Sequence, residues 1–253
     1  MQGQSAGPRG ALVTGASYGI GAAIAIGLAQ DGFDVAVTDL RTGDLEKTVA
    51  AIRAAGRRAA AIALDVRSQD SVEAGFAKTV AALGGVDVLV NNAGIPMTRP
   101  AVEISRADWD AALAVNLTGT FFMCQQLGRH LIGAGRPGSI VSLASTHGTV
   151  GFPNVVAYGV AKAGISHMTR VLAIEWAPHG IRVNAIAPGT TETESRAPML
   201  TDPQRRETML NRIPLHRFGT AEEMAAAARY LLSPAASYIT GQILLLDGGL
   251  TAY

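Results

Sequence analysis

Leu12-Val13-Thr14-Gly15-Ala16-Ser17-Tyr18-Gly19-Ile20-Gly21 joins an apolar run to a turn containing three glycines, and the alanine-rich stretch Ala22-Ala23-Ile24-Ala25-Ile26-Gly27-Leu28-Ala29 follows directly. The order is that of a strand, a tight turn and a helix. Glycines let the chain turn sharply and let backbone approach a ligand, while a helix N-terminus presents unpaired N–H groups and a partial positive charge. Such a turn suits a pyrophosphate. Its spacing, Gly-x-x-x-Gly-x-Gly, departs from the commoner Gly-x-Gly-x-x-Gly fingerprint, so alone it marks only a glycine-rich strand-to-helix connection. A dinucleotide site also needs an acidic residue about twenty positions on. Asp39 provides it, eighteen residues after Gly21, at the end of the apolar run Val35-Ala36-Val37-Thr38.

The same alternation continues along the chain. Apolar runs predict strands at about 10–14, 34–39, 59–64, 87–91, 138–144, 181–187 and 242–246, and helical patterns fill about 20–31, 44–55, 69–83, 108–132, 155–178 and 221–232. Ser105 and Asp108 form a capping box for the fourth helix, and Gly32, Gly56, Gly84 and Gly180 stand where four helices should close. Continuous apolar strands alternating with helices predict a parallel sheet covered on both faces, with ligands beyond the carboxyl ends of its strands. No linker or compositional break divides the 253 residues, and 48% hydrophobic content fills a large core. The expectation is a flexible tail over 1–8 and a single domain over 9–253. Within it the polar stretch from Glu192 to Pro214, interrupted by Pro198 and Pro203, predicts a pair of short helices forming a substrate lid at about 190–214.

Composition excludes several roles. A formal net charge of +1 with scattered basic residues argues against a nucleic-acid footprint. No apolar run reaches membrane-spanning length, and the first residues lack the apolar core of a signal peptide. The lone Cys124 reads as a small buried hydrophobe. A cytoplasmic protein acting on a small molecule, without metal, is expected.

Chemistry is concentrated in Tyr158 and Lys162, which stand one helical turn apart on one face, with Ser145 thirteen residues before the tyrosine. A phenol ordinarily titrates near pH ~10, and a neighbouring cation favours its anion. A tyrosine–lysine pair alone is common on solvated helices. Its company is not: Asn91-Asn92-Ala93-Gly94 ends the run Val86-Asp87-Val88-Leu89-Val90, Asn116 lies in a long helical pattern, Ser145 follows Ser139-Ile140-Val141-Ser142-Leu143, and Pro188-Gly189 follows Ile181-Arg182-Val183-Asn184-Ala185-Ile186-Ala187. In this order Thr14-Gly15-x-x-x-Gly19-Ile20-Gly21, Asp65, Asn91-Asn92-Ala93-Gly94, Asn116, Ser145, Tyr158-x-x-x-Lys162 and Pro188-Gly189 resemble the short-chain dehydrogenase/reductase family over residues 9 to 249.

The resemblance implies a single-domain Rossmann fold, a doubly wound parallel sheet of about seven strands, and hydride transfer between a nicotinamide and a CH–OH or C=O carbon. It casts Tyr158 as proton acceptor and donor, Lys162 as its activator and a ribose ligand, Ser145 as the hydrogen-bond partner of the substrate oxygen, and Asn116 as the holder of a water on a proton route. Gly15, Ser17, Gly19, Ile20 and Gly21 would cradle the diphosphate and adenosine ribose, Asp65 and Val66 would meet the adenine, Asn92, Ala93 and Gly94 would pass behind the adenosine, and Pro188, Gly189, Thr191 and Thr193 would meet the nicotinamide. Asp39 should accept hydrogen bonds from the ribose hydroxyls and repel a 2′-phosphate. Tyr18 and Leu40 occupy two places where relatives using NADP carry a base, so NAD is expected over NADP, although Arg41 points the other way. His147 and Asn154, close to Ser145 and Tyr158, are expected to line the substrate pocket, with Glu192 or Glu194 reaching in from the lid. A weaker likeness to bacterial aldose 1-dehydrogenases suggests a sugar or polyol substrate. The alternatives are a 3-oxoacyl carrier-protein reductase and a non-catalytic NAD-binding sensor. The resemblance also implies a homotetramer assembled through the helices at about 108–132 and 155–178 and through the last strand.

Overall fold

Every residue of β1 (Gly10–Thr14) is buried, as a strand must be when helices cover both of its faces. The computed structural model describes residues 9–194 and 201–252. In it β1 lies within a sheet with β2 (Asp34–Asp39), β3 (Ala59–Ala63), β4 (Val88–Asn91), β5 (Gly138–Leu143), β6 (Ile181–Pro188) and β7 (Ile243–Leu246), paired in the order β3-β2-β1-β4-β5-β6-β7. Every pairing between them is parallel. The winding reverses between β1 and β4, which opens a crevice at the carboxyl ends of the two strands.

Successive side chains of a strand point to opposite faces, and the two faces have separate cores. Ala11, Val13, Val35, Val37, Val88 and Val90 pack with Ile24 and Leu28 of α1 (Gly19–Gln30), Ile52 of α2 (Glu46–Ala54) and Leu231 of α8 (Ala221–Leu232). Leu12, Ala36, Leu89 and Ile140 face the other way, onto Val72 and Phe76 of α3 (Gln69–Leu83), Met123, Leu127 and Leu131 of α5 (Gly119–Ala134) and Leu172 of α6 (Val156–Trp176). This doubly wound, two-faced sheet is the architecture expected from the sequence.

The differences are local. The single helix expected at about 108–132 is two: α4 (Arg106–Leu113), begun by the Ser105–Asp108 capping box, and α5, separated by a wide π turn at Ala114–Thr118. The buried amide of Asn116 sits in that turn, and Gly119 after it leaves no room for a Cβ, which would lie 2.7 Å from Val66 Cβ. Hydrophobic periodicity does not register such a turn, because the apolar face resumes after it. A short 3₁₀ segment, Thr42–Leu45, precedes α2, and another, Ala177–His179, follows α6. Of the expected lid, α7 (Pro203–Leu210) is present, with Asp202 accepting hydrogen bonds from the N–H groups of Gln204 and Arg205. Residues 195–200, and the tail expected over 1–8, lie outside the described residues.

Leu89 is fully buried in β4 beside the crevice. Replacing Leu89 with alanine is expected to lower unfolding free energy by about 2–5 kcal/mol at unchanged m-value in a urea titration. A loss under about 1 kcal/mol would contradict the packing described.

Candidate active site

The crevice begins with a knot of hydrogen bonds. The Thr14 hydroxyl at the tip of β1 accepts from the N–H groups of Asn92 and Ala93, both at 3.1 Å, and the Asn92 side-chain amide donates to the carbonyls of Thr14 (3.1 Å) and Gly15 (2.6 Å). The glycine turn is thereby fastened to the end of β4. Gly15 has φ 62°, a conformation that suits glycine, and a Cβ there would lie 2.8 Å from Ala93 Cα. A Cβ on Gly21 would run into the Asn92 amide and the Gly15 carbonyl. Gly21 therefore serves packing and does not line the cavity, whereas Gly15, Ser17, Gly19 and Ile20 do. Thr14 belongs to the motif, yet its part in the knot was not foreseen. A hydroxyl ending a buried strand beside a glycine was the available signal.

A cavity of about 780 Å³ runs from this turn along the carboxyl ends of the strands, within the range that holds small ligands and cofactors. Asp39, Leu40, Asp65 and Val66 line the part beyond β2 and β3. The Asp39 carboxylate accepts from the Ser17 hydroxyl (2.5 Å) and the Leu40 N–H (2.8 Å). Arg41 turns away to pair with Asp44 at 3.0 Å. Asp65 accepts from the N–H of Arg67 and pairs with its guanidinium at 2.7 Å, which holds its carboxyl below the usual range. Asn92, Ala93 and Gly94 form the floor, and Pro188, Gly189, Thr191 and Thr193 follow the end of β6 on the far wall. A Cβ on Gly19 would lie 3.3 Å from Thr193 Cγ2, so the loop after β6 arches back over the glycine turn.

Ser145, Tyr158, Lys162 and Asn116 all line the same cavity. Lys162 is buried; its Nζ donates to the Leu143 carbonyl at 2.6 Å and lies 5.6 Å from the centre of the Tyr158 ring. Ser145, two residues beyond Leu143, accepts from the His147 N–H at 3.2 Å. The loop carrying Ser145 rests directly on α6: a Cβ on Gly148 would lie 2.6 Å from the Lys162 carbonyl carbon, and one on Gly159 would lie 2.9 Å from the His147 carbonyl oxygen. These two glycines fix the serine relative to the tyrosine, and neither was singled out from the sequence. Gly94 separates Asn116 from Lys162, since a Cβ on it would lie 2.8 Å from Asn116 Oδ1 and 3.7 Å from Lys162 Nζ. The Asn116 side chain accepts from the Ile95 N–H (3.1 Å) and donates to the carbonyls of Ile95 and Ala112, both at 3.0 Å. It anchors the loop after β4.

Two expectations about the substrate pocket are corrected. His147 lines the cavity, edge-on to Phe152 at 4.5 Å and to Tyr158 at 5.8 Å. Asn154 does not: it is exposed, with φ 66°, and its carbonyl accepts from the Arg99 N–H at 2.7 Å. The left-handed turn carries it away from the cleft. Glu192 and Glu194 are also absent from the lining, and Glu192 faces Arg206 at 3.5 Å. Arg205 and Met209 of α7, Arg212 and Ile213 just after it, and Leu250 from the segment after β7 line it instead.

Residues 15–251 match a short-chain dehydrogenase family model described as enoyl-(acyl carrier protein) reductase. The chain belongs to the short-chain dehydrogenase/reductase family. It is 41% identical to 3beta-hydroxysteroid dehydrogenase 1 of Eggerthella lenta over 96% of its own length and 93% of that protein's. It is 43% identical to D-threitol dehydrogenase of Mycolicibacterium smegmatis over 95% and 92% of the two chains. A solved structure of a candidate 2-deoxy-D-gluconate 3-dehydrogenase from Agrobacterium tumefaciens, with NADP bound, superposes with a TM-score of 0.88 at 40% identity, covering 97% of each chain. The chain is an NAD(P)-dependent oxidoreductase acting on CH–OH groups. Among the described residues, no helix is long and apolar enough to cross a membrane.

The crevice fits a nicotinamide dinucleotide. Tyr18 at the N-cap of α1 makes no side-chain capping bond, so the first-turn N–H groups beside the glycine turn remain available to an anion, as a pyrophosphate requires. The Asp39 carboxylate lines the cavity at the end of β2, beside the glycine turn. Lys162 is the electrostatic centre of the remainder. Burial lowers its pKa from 10.5 to about 8, so at neutral pH it is a charge kept out of water. Because the folded value lies below the unfolded one, the unfolded chain binds more protons between those two pH values, and stability rises with pH across that window. Lys162→Met is therefore expected to stabilise the protein by on the order of 1–3 kcal/mol at pH 7, net of the donor lost to Leu143, with the gain shrinking as pH climbs from 8 to 10.5. Thermal unfolding at several pH values checks this; a destabilised variant at pH 7 would contradict it.

Proposed function

We propose that this chain interconverts a secondary alcohol and a ketone, or a sugar hemiacetal and its lactone, on a small polyhydroxylated molecule, with NAD as coenzyme. One observation carries the reading: a buried ammonium lies beside the Tyr158 ring, with Ser145 held against the same helix, all facing one cavity. The bound coenzyme supplies or accepts the hydride. Tyr158 takes the hydroxyl proton in oxidation and returns it in reduction, and the Lys162 charge stabilises its anionic oxygen. Ser145 donates to the substrate oxygen as charge develops there. Asn116 keeps the loop after β4 beside Lys162 on the route by which the proton reaches solvent.

The D-threitol and 2-deoxy-D-gluconate relatives support a sugar or polyol substrate. A carrier-protein ketoreductase is the second reading, favoured by the description of the matching family model. NAD over NADP rests on Asp39, whose carboxylate would meet a 2′-phosphate at close range, and on Arg41 being engaged by Asp44. The NADP held by the Agrobacterium relative weighs against it. A homotetramer is supported by apolar side chains exposed on α5 and α6 (Phe121, Val160, Val171, Ile174) and on the edge strand β7 (Leu244, Leu245). The lone, buried Cys124 agrees with a cytoplasmic site of action.

Reduced-cofactor absorbance, followed with aldoses, polyols, hydroxysteroids and acetoacetyl thioesters and with both coenzymes, tests the reading. Wild-type turnover is expected with NAD on a sugar or polyol. Tyr158→Phe should lose roughly 10²–10⁴-fold or more in kcat while binding coenzyme as before; undiminished turnover would remove the mechanism. Asp39→Ser should narrow the NAD preference, and activity with NADP alone would defeat the assignment. Light scattering is expected to give a tetramer, and a monomer at micromolar concentration would refute that state.

A further inference from the structure

The loop after β4 is pinned at both ends. At its start the Asn116 side chain accepts from the Ile95 N–H at 3.1 Å and donates to the Ile95 carbonyl at 3.0 Å. At its far end the Arg99 N–H donates to the Asn154 carbonyl at 2.7 Å. Pro96, Met97 and Thr98, between the two anchors, line the cavity. The Arg99 guanidinium pairs with Asp108, whose carboxylate also accepts from the Ser105 N–H (3.2 Å) and hydroxyl (2.6 Å) in the capping box of α4. One residue thus joins the start of α4 to the turn that precedes α6.

Asn154 meets Arg99 through its main chain, and the direction of that carbonyl depends on a backbone φ of 66°. Positive φ is uncommon outside glycine, and asparagine is among the residues that tolerate it. Proline then asparagine is also the order of a type II turn, whose first central position suits Pro153 and whose second needs a positive φ. The turn orients both of its flanks. Phe152, two residues earlier, lies edge-on to His147 at 4.5 Å, and His147 lies edge-on to Tyr158 at 5.8 Å. Tyr158 follows in the first turn of α6, where a Cβ on the next residue, Gly159, would lie 2.9 Å from the His147 carbonyl oxygen. The path closes on itself: from Asn116 through Ile95 to Arg99, across to Asn154, and along α6 to Lys162, which Gly94 separates from Asn116.

We propose that Asn154 is a positioning residue for the reaction: its left-handed backbone, not its side chain, ties the loop after β4 to the turn before α6 and so fixes the wall of the cavity around Tyr158. Without the tie, Met97 and Thr98 on one loop and Phe152 and Pro153 on the other are free to separate, and a bound alcohol loses its fit to the phenol. The glycine turn, fastened separately by Thr14 and Asn92, keeps its shape for the coenzyme. A β-branched residue at 154 is a poor occupant of positive φ and swings the carbonyl off Arg99, whereas glycine holds the conformation with no side chain at all. The proposal rests on the oxidoreductase reading above and adds a residue to it.

Asn154→Val and Asn154→Gly test the assignment, with D-threitol, D-gluconate or a 3β-hydroxysteroid as the alcohol, whichever turns over fastest with NAD. In Asn154→Val, KM for the alcohol is expected to rise about 5- to 30-fold, the ratio that matches the strain of a left-handed residue, while KM for NAD stays at its wild-type value. In Asn154→Gly, KM for the alcohol should return to near the wild-type value. An unchanged alcohol KM in Asn154→Val overturns the proposal, as does an equal loss in Asn154→Gly or a parallel rise in KM for NAD. The tie has its own readout in amide hydrogen exchange at Arg99, measured at single-residue resolution. Protection is expected in the wild type and in Asn154→Gly, and its loss in Asn154→Val. If no alcohol is oxidised, the oxidoreductase reading fails, and exchange still decides the tie: that pattern upholds it, and protection retained in Asn154→Val ends it.

Discussion

A buried ammonium sets the terms for the whole site. Lys162 Nζ reaches the Leu143 carbonyl, so the last residue of β5 and the second turn of α6 are joined through a charge that water does not reach. Removing a cation from water costs several kcal/mol after relaxation, and one hydrogen bond to a neutral carbonyl offsets only part of that. The lowered pKa is the same imbalance expressed as proton affinity. A protein selected for stability alone would carry an apolar side chain here. The lysine instead places a buried charge on α6, 5.6 Å from the centre of the Tyr158 ring.

The backbone around that charge is arranged for close approach. Gly94, Gly148 and Gly159 each stand where a Cβ would meet Asn116, the Lys162 main chain or the His147 carbonyl within 3 Å. Two loops, after β4 and after β5, thereby converge on the stretch of α6 that carries Tyr158 and Lys162. On the other side of the crevice, Thr14 and Asn92 tie the tips of β1 and β4 together with four hydrogen bonds of 2.6–3.1 Å. The parallel sheet supplies stiffness, and these ties carry it to the loops, which would otherwise be the least ordered parts of the fold.

Strand runs such as Val35-Ala36-Val37-Thr38 and Ser139-Ile140-Val141-Ser142-Leu143 are apolar on both faces, and that pattern admits few alternatives to a covered parallel strand. The sheet was legible for that reason, and the Tyr158 and Lys162 pair was legible because side chains one helical turn apart share a face, whereas Ser145 was placed with them by the family resemblance. What escaped was direction in loops. Asn154 stands four residues before Tyr158, but a single positive φ turns it to solvent. The π turn at Asn116 leaves the apolar periodicity unchanged on either side, so a single long helix was read where two meet. Arg205, Arg212 and Leu250 join the site through packing between segments about forty residues apart, which local pattern does not encode.

That packing forms a core of its own. Leu210, Ile213 and Phe218 form a small cluster with Met209 and Leu250, distinct from the two cores that flank the sheet. The segment after β7 is held by Asp247, which accepts from the N–H groups of Gly249 and Thr251 and from the Thr251 hydroxyl. Gly249 lies against Pro214, where a Cβ would come 2.9 Å from its Cγ. α7 and the segment after β7 therefore share one minor core. Met209, Ile213 and Leu250 belong to this core and also line the cavity.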